Sequence, residues 1–535
     1  MDPIVRDALN ILALVAIVLA LLVTLGIVVS IIRSIWRVTF GHATLVLPFT
    51  GTEQARSVHT VLAEQLGRIE GEWRSLSVAI RAEEGLRTDD AALLDLGPVR
   101  ISGKEEPLDA DQVELVDGEP IDGQAIPPLT FAGVSVTPDT LFNMLYRVRT
   151  AVARRMVRGN LAEFGTTVRL SAEFLHRPIV APDAGVEAPR DSRARRELIV
   201  VVRDLAEPGQ LLDLVDDVAF RIAKYRLSFT SEGERWNAYH AFLQGFVQHL
   251  QFLRTGQVLH RDKAVEHYEQ AIASEPGYRY AHYNLAALLY NRYTQDANAT
   301  AVEHFTLAAE ADDPELRALA LAGLTLAYAQ NVHRYGLGTE PWAALADAAS
   351  AEAFEINPNL EESTFARGWA LQLNGRYRDA ADCYERTVAL DGDTPAERQV
   401  KSFAQNNRAY LYMTELDDLA VAERLFHEAL DLYPNKMAHA NLGEILSRRG
   451  EYDRALDEYR AALRLDPKYA NAMNEMALVY LAKARAASGE DGADLLRQAD
   501  SWHTQALALL PPDATSQRAT LQTAYEAARG QEPSG

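Results

Sequence analysis

The 535-residue chain has one cysteine, Cys383. No intrachain disulfide can form, which excludes a stapled secreted scaffold. A thiol set in an apolar helical stretch reads as packing, because reactive thiols need an electropositive, exposed setting. Basic side chains are outnumbered, 53 Lys and Arg against 75 Asp and Glu, giving a formal charge of −22. Such a surface repels a polyphosphate backbone, so nucleic acid is not the expected partner. Catalytic signatures are missing as well. The Gly103–Lys104 pair is followed by Glu105 without the upstream glycine of a P-loop, and neither HExxH nor GxSxG occurs. His260 and His267 sit near each other with no third ligand at metal spacing, which favours packing or surface roles. Asp216 and Asp217 lie on an amphipathic helix, where a solvated face is expected. No catalytic residue, cofactor or metal site is expected, and the chain reads as a non-enzyme.

What is present begins with a long apolar run. From Ala8 to Ile32 no residue is charged. As a helix this stretch extends about 37 Å, enough to cross a hydrocarbon core of roughly 30 Å with some tilt. A buried soluble helix and a cleaved signal peptide are the alternatives. All-round apolarity, length and the lack of a small-x-small site before Arg33 weigh against both. Arg33 and Arg37 follow the run and only Arg6 precedes it, a bias that places the C-terminal body on the cytoplasmic side, with the extracytoplasmic side as the alternative.

Beyond this anchor, residues 1–42, "ATLVLPFTG" (Ala43–Gly51) reads as a buried strand. From Glu53 to Trp73, Val58, Val61, Leu62, Leu66, Ile69 and Trp73 form one helical face. Strand then helix opens an α/β domain, assigned to residues 43–230. Residues 80–130 form an acidic, proline-bearing insertion; "DADQVELVDG" fails as an EF-hand because Val113 and Glu114 stand where a ligand and glycine are needed. From Thr140 a helical pattern returns with no acid before Asn160. Arg147, Arg154 and Arg155 there form a basic patch that could face anionic headgroups or an acidic partner, or simply be solvated. "TTVRLSAEFL" and "RRELIVVVRDL" are strand-like neighbours, and "GQLLDLVDDVAFRIAKYRL" is a second amphipathic helix.

"LVLPFTG", "VRGNLAEFGTTVRLSAEFL" and "DLVDDVAFRIAKYRL" together resemble the N-terminal α/β domain of TolB-like proteins, which often precedes helical repeats in membrane-tethered bacterial proteins. The resemblance implies that residues 156–161 belong to a strand rather than to the end of the Arg-rich helix; periodicity alone leaves both open. It implies no catalytic residues.

Residues 450–467, "GEYDRALDEYRAALRLDP", raise the question of a carboxylate site at Asp453, Asp457 and Glu458. The phrase is a repeat instead. Small–x3–aromatic–x2–small–x4–Pro occurs at Ala264, Tyr268, Ala271, Pro276; at Ala422, Phe426, Ala429, Pro434; and at Ala455, Tyr459, Ala462, Pro467. Looser copies bring the units to seven across residues 231–512, and the three carboxylates fall on the wet side of a helix. Small residues let antiparallel helices approach, the aromatic fills the gap, and proline sets the turn. The array resembles the tetratricopeptide family, which implies a C-terminal all-α superhelical solenoid. Residues 513–535 follow as a capping helix and a disordered tail. "YNRYTQDANAT", "NVHRYGLGTEPWA" and "ARAASGEDGADLLRQ" are expected to project as loops.

That resemblance implies a concave groove lined by the first helix of each unit. Carried onto this sequence, its positions are Tyr280, Tyr283, Tyr290, Phe365, Trp369, Phe403, Asn406, Tyr410, Asn471 and Asn474. An aromatic and polar groove suits a protein or peptide partner. The expected architecture is one transmembrane helix, a small α/β domain and a solenoid. The expected function is a membrane-anchored scaffold that recruits a protein, the alternative being a sensor whose α/β domain binds a small ligand and whose array relays it.

Overall fold

The computed structural model describes residues 44–46, 50–51, 55–85, 115–117, 129–131, 134–136, 155–164, 167–176, 195–204, 210–227, 233–487, 490–512 and 514–530. The apolar run 8–32, Arg147, Arg154 and most of the acidic insertion lie outside the described residues. Among the described residues no helix is long and apolar enough to cross a membrane. The chain divides into two compact units, one holding a sheet and the other a helical array that runs from Asn237 onward.

In the first unit, β1 (Thr44–Val46) lies between β3 (Leu115–Asp117) and β6 (Arg155–Phe164), parallel to both. β6, β7 (Thr167–His176) and β8 (Arg195–Asp204) then run as an antiparallel meander, and β2 (Thr50–Gly51) adds to β6. β4 (Leu129–Phe131) and β5 (Val134–Val136) form a separate hairpin.

The Arg-rich stretch is therefore not helical to Asn160. Arg155 begins β6, in register with Thr44 on one side and His176 on the other. Two flanking strands satisfy the backbone of 155–164. Val157 and Leu161 alternate inward at 0% and 1% exposure, facing the same way as Leu170, Ala172, Ile199 and Val201 of the neighbouring strands.

Helix α1 (Ala55–Gly85) buries Val58, Leu62, Leu66, Ile69 and Trp73. Helix α2 (Gln210–Leu227) buries Leu214, Val215, Val218 and Ile222 and packs on β7 and β8. Asp216 and Asp217 are not solvated: both are buried, and Asp216 pairs with Arg68 of α1 at 2.9 Å. Burial still pushes the Asp216 carboxyl up, against the guanidinium that holds it down.

The second unit is a run of helix pairs: α3 (Trp236–Thr255) with α4 (Val258–Ser274), α5 (Arg279–Tyr290) with α6 (Gln295–Ala308), and α7 (Pro314–His333) with α8 (Trp342–Ile356). Next come α9 (Glu361–Leu373) with α10 (Tyr377–Ala389), and α11 (Pro395–Thr414) with α12 (Leu419–Leu432). The array continues with α13 (Lys436–Arg448) and α14 (Tyr452–Leu465), then α15 (Ala470–Ala486) and α16 (Glu490–Leu509), and α17 (Thr515–Gly530) follows.

The repeat spacing explains the pairing. Its small residues, among them Ala264, Ala271, Ala422, Ala429, Ala455 and Ala462, are wholly buried. The ring between them sits against a glycine of the preceding helix. A Cβ at Gly368 would stand 2.5 Å from the Tyr384 ring, and one at Gly443 would stand 2.6 Å from Tyr459. Only hydrogen at that position allows the close approach.

Of the three expected loops, only residues 334–341 form a long connection. "YNRYTQDANAT" is mostly helix: α6 starts at Gln295, with Thr294 capping it through a hydroxyl that accepts from Ala297 N–H. "ARAASGEDGADLLRQ" is divided between the end of α15 and the start of α16. In the first the Thr294 cap starts the helix early, and in the second four alanines and two leucines favour helical turns over loop.

Candidate partner-binding groove

The first helices of successive pairs turn one stripe each toward a shared cavity of about 580 Å³. Tyr290 enters from α5, Phe365 and Trp369 from α9, and Phe403, Asn407 and Tyr410 from α11. Asn441 and Glu444 come from α13, and Asn471 and Glu475 from α15. Spacings of three, four and seven keep such residues on one helical face.

Six expected positions thus meet at this cavity: Tyr290, Phe365, Trp369, Phe403, Tyr410 and Asn471. Four do not line it. Tyr280 donates its hydroxyl to Asp313 at 2.5 Å and packs edge-on against Phe242, joining neighbouring pairs. Tyr283 is buried against Phe305, with ring centroids 5.6 Å apart. Asn406 and Asn474 each precede a lining residue, Asn407 and Glu475, by one position, which rotates them about 100° off the stripe.

Asn406 and Asn474 nevertheless hold the wall. Asn406 accepts from Asn441 Nδ2 at 3.0 Å and donates to Asn407 Oδ1 at 3.2 Å, and both of those partners face the cavity. Asn474 is fully buried and its Oδ1 lies 2.8 Å from His503 Nδ1 of α16. Of the basic candidates, Arg155 contributes its backbone to β6; Arg147 and Arg154 lie outside the described residues.

Several lining residues were missed by position-by-position reasoning. Asn407 and Glu475 sit one residue beyond the expected positions, a phase that depends on where each helix starts. His333 and Arg334 end α7, where aromatic rings engage both: His333 meets Trp369 edge-on at 5.5 Å, and Arg334 covers Tyr293 at 4.5 Å. Burial lowers the His333 pKa, which keeps the imidazole neutral near pH 7. Gln517, Thr520 and Leu521 of α17 complete the lining. No sequence signal placed that helix at the groove.

Two carboxylates mark one end. Glu444 pairs with Arg448 one helical turn away, and its charge reaches Tyr410, which is 40% exposed. Glu475 is half-buried, and its carboxyl is pushed up to about 7 by burial first and by Glu444 second. The rings offer flat apolar contact, while Asn407, Asn441 and Asn471 offer donors and acceptors suited to a peptide backbone.

The other singled-out residues have local roles. Asp453 pairs with Lys483 of α15 and Glu458 with His439 of α13, which makes these two struts between helices, whereas Asp457 pairs with Arg460 of its own helix. His260 Nδ1 lies 2.9 Å from Gln248 and His267 Nδ1 lies 3.3 Å from Gln270. Burial pushes the Cys383 thiol up, away from thiolate reactivity.

Residues 438–483 match the family described as TPR repeat. The photosystem I assembly protein Ycf3 of Cyanophora paradoxa is 31% identical over 121 residues, which span 21% of this chain and 70% of that protein. A tetratricopeptide repeat protein from Parabacteroides merdae is 14% identical; the match covers 55% of this chain and 94% of that one, with a TM-score of 0.34. The human IFIT1 dimer with m7Gppp-AAAA is 15% identical, the match covering 59% of this chain and 71% of that one, with a TM-score of 0.38.

Proposed function

We propose, from the premise that this chain belongs to the tetratricopeptide repeat proteins, that it is a membrane-anchored, non-enzymatic scaffold whose concave groove recruits a protein partner. The observation that carries this reading is the cavity itself. It is lined by half-buried and buried rings, Trp369, Phe365 and Phe403, with the more exposed Tyr410 and side-chain amides between them. Rigid rings supply contact area at low entropy cost, and amides match the polar groups of an extended peptide.

Ycf3 is named as an assembly protein, which supports a role in bringing other proteins together. The uncharged run from Ala8 to Ile32 serves as the single span, and the Arg33–Arg37 bias sets the body on the cytoplasmic side. The α/β unit is read as TolB-like and as held near the bilayer.

Proximity labelling from the C-terminus in living cells tests the proposal. Cytoplasmic proteins whose labelling is lost in Trp369→Ala support it. Labelled extracytoplasmic proteins overturn the orientation, and labelling indifferent to Trp369 overturns the groove.

A further inference from the structure

The groove's negative charge is confined to one end, and one of its two carboxylates has no ion-pair partner among the described residues. Glu444 is held by Arg448, whereas Glu475 carries no hydrogen bond or ion pair among the described residues although it is half-buried in the lining. Behind them the Tyr459 hydroxyl is buried without a hydrogen-bond partner, within electrostatic reach of both carboxylates. Arg448, the cation within reach of both acids, is already paired with Glu444, so this cluster of two acids and an unpaired buried hydroxyl has room for a second positive charge. The opposite end of the cavity has its cation occupied: Arg334 lies over Tyr293.

We propose that the groove takes an extended peptide segment bearing a lysine or arginine, whose cationic head sits between Glu444 and Glu475 while an apolar neighbour packs on Trp369 and Phe365. This inference rests on the scaffold reading above and specifies the partner's chemistry. The aliphatic stem of the basic side chain covers the Tyr410 ring, and the cation supplies the charge that Glu475 lacks. The net charge of −22 adds long-range attraction for a basic segment.

The subsite is pH-sensitive. Charged and titratable groups facing Glu475 are Glu444 and Arg448 from α13 and Tyr459 from α14; α17 presents the uncharged Gln517 and Thr520 to the cavity. A neutral acid gives a cation little, so affinity strengthens as pH rises from 6 to 8 and Glu475 ionises.

Random dodecapeptides displayed on phage, panned on the full-length chain in detergent micelles and counter-selected on Trp369→Ala, supply the probes. The expected selected peptides carry Lys or Arg at one fixed position. Their synthetic versions lose about tenfold in affinity on Glu475→Gln, or on replacing that Lys by Met in the peptide, and Glu475→Gln flattens the pH dependence. Trp369-dependent peptides without a basic residue, or with affinity unchanged by Glu475→Gln and by the peptide substitution, overturn the cation subsite and leave the groove standing. Failure to select any Trp369-dependent peptide overturns the scaffold reading, and this inference with it.

Discussion

Thr515 donates its hydroxyl to the carbonyl oxygen of Tyr335 at 3.2 Å, 180 residues back along the chain. Beside this bond, Ser516 lies so near Gly336 that a Cβ there would stand 3.1 Å from it. The start of α17 thus meets the loop after α7, and the solenoid's superhelical path brings the two together. On its other face, Leu521 packs with Ala470, Met473, Ala506 and Leu510. Truncation after residue 512 is expected to lower the melting temperature and to raise hydrogen exchange in residues 334–341, far away in sequence. Exchange confined to α15 and α16 would contradict the contact.

Glycine under a ring predicts a second effect. Gly368→Ala puts a methyl 2.5 Å from the Tyr384 ring and is expected to cost about 1–3 kcal/mol in denaturant melts. Gly277→Ala, with nothing within 4 Å, is the control and stays near wild type.

Asn435 ties two pairs together. Its Oδ1 accepts from Met437 and Ala438 N–H, and its Nδ2 donates to Ser402 Oγ at 3.0 Å. Asn435→Ala removes a cap and a buried cross-link, with an expected loss of about 2 kcal/mol. Asn435→Asp keeps the cap and is expected to lose less of it, which separates the two contributions.

Glu475 gives a stability signature with a defined sign. Its folded-state carboxyl is pushed up to about 7 from the ordinary 4.5, so the folded chain holds that proton more tightly than the unfolded one. Its contribution therefore falls as pH rises between those two values, and above about pH 7 the ionised form is a net cost. Glu475→Gln is expected to stabilise by about 1–3 kcal/mol at pH 8, with the gain shrinking toward pH 5. Equal gains at both pH values would point to packing instead.

The repeat was legible because helix packing demands it locally: Ala455, Tyr459 and Ala462 all lie at 0% exposure, where spacing alone put them. The strand at 155–164 was not legible from periodicity, since its pairing with Thr44 and His176 is a long-range relation. Groove residues were partly legible. Phe365, Trp369 and Tyr410 sit where the helical phase predicts. Asn406 and Glu475 show how one residue of phase separates a residue behind the wall from one on it. The burial of Asp216 depended on Arg68, a partner on another helix. The reach of α17 depended on the turn of the whole superhelix, which no 34-residue period encodes.

Photo-cross-linking in living cells tests the central claim most directly. Benzoylphenylalanine is placed at Trp369 on the groove and, separately, at exposed Leu259 on α4. The account predicts a discrete cross-linked partner at position 369, absent at 259 and competed by the selected Lys-bearing peptide. Equal cross-linking at both positions, or a partner captured only at 259, would contradict recruitment through the groove.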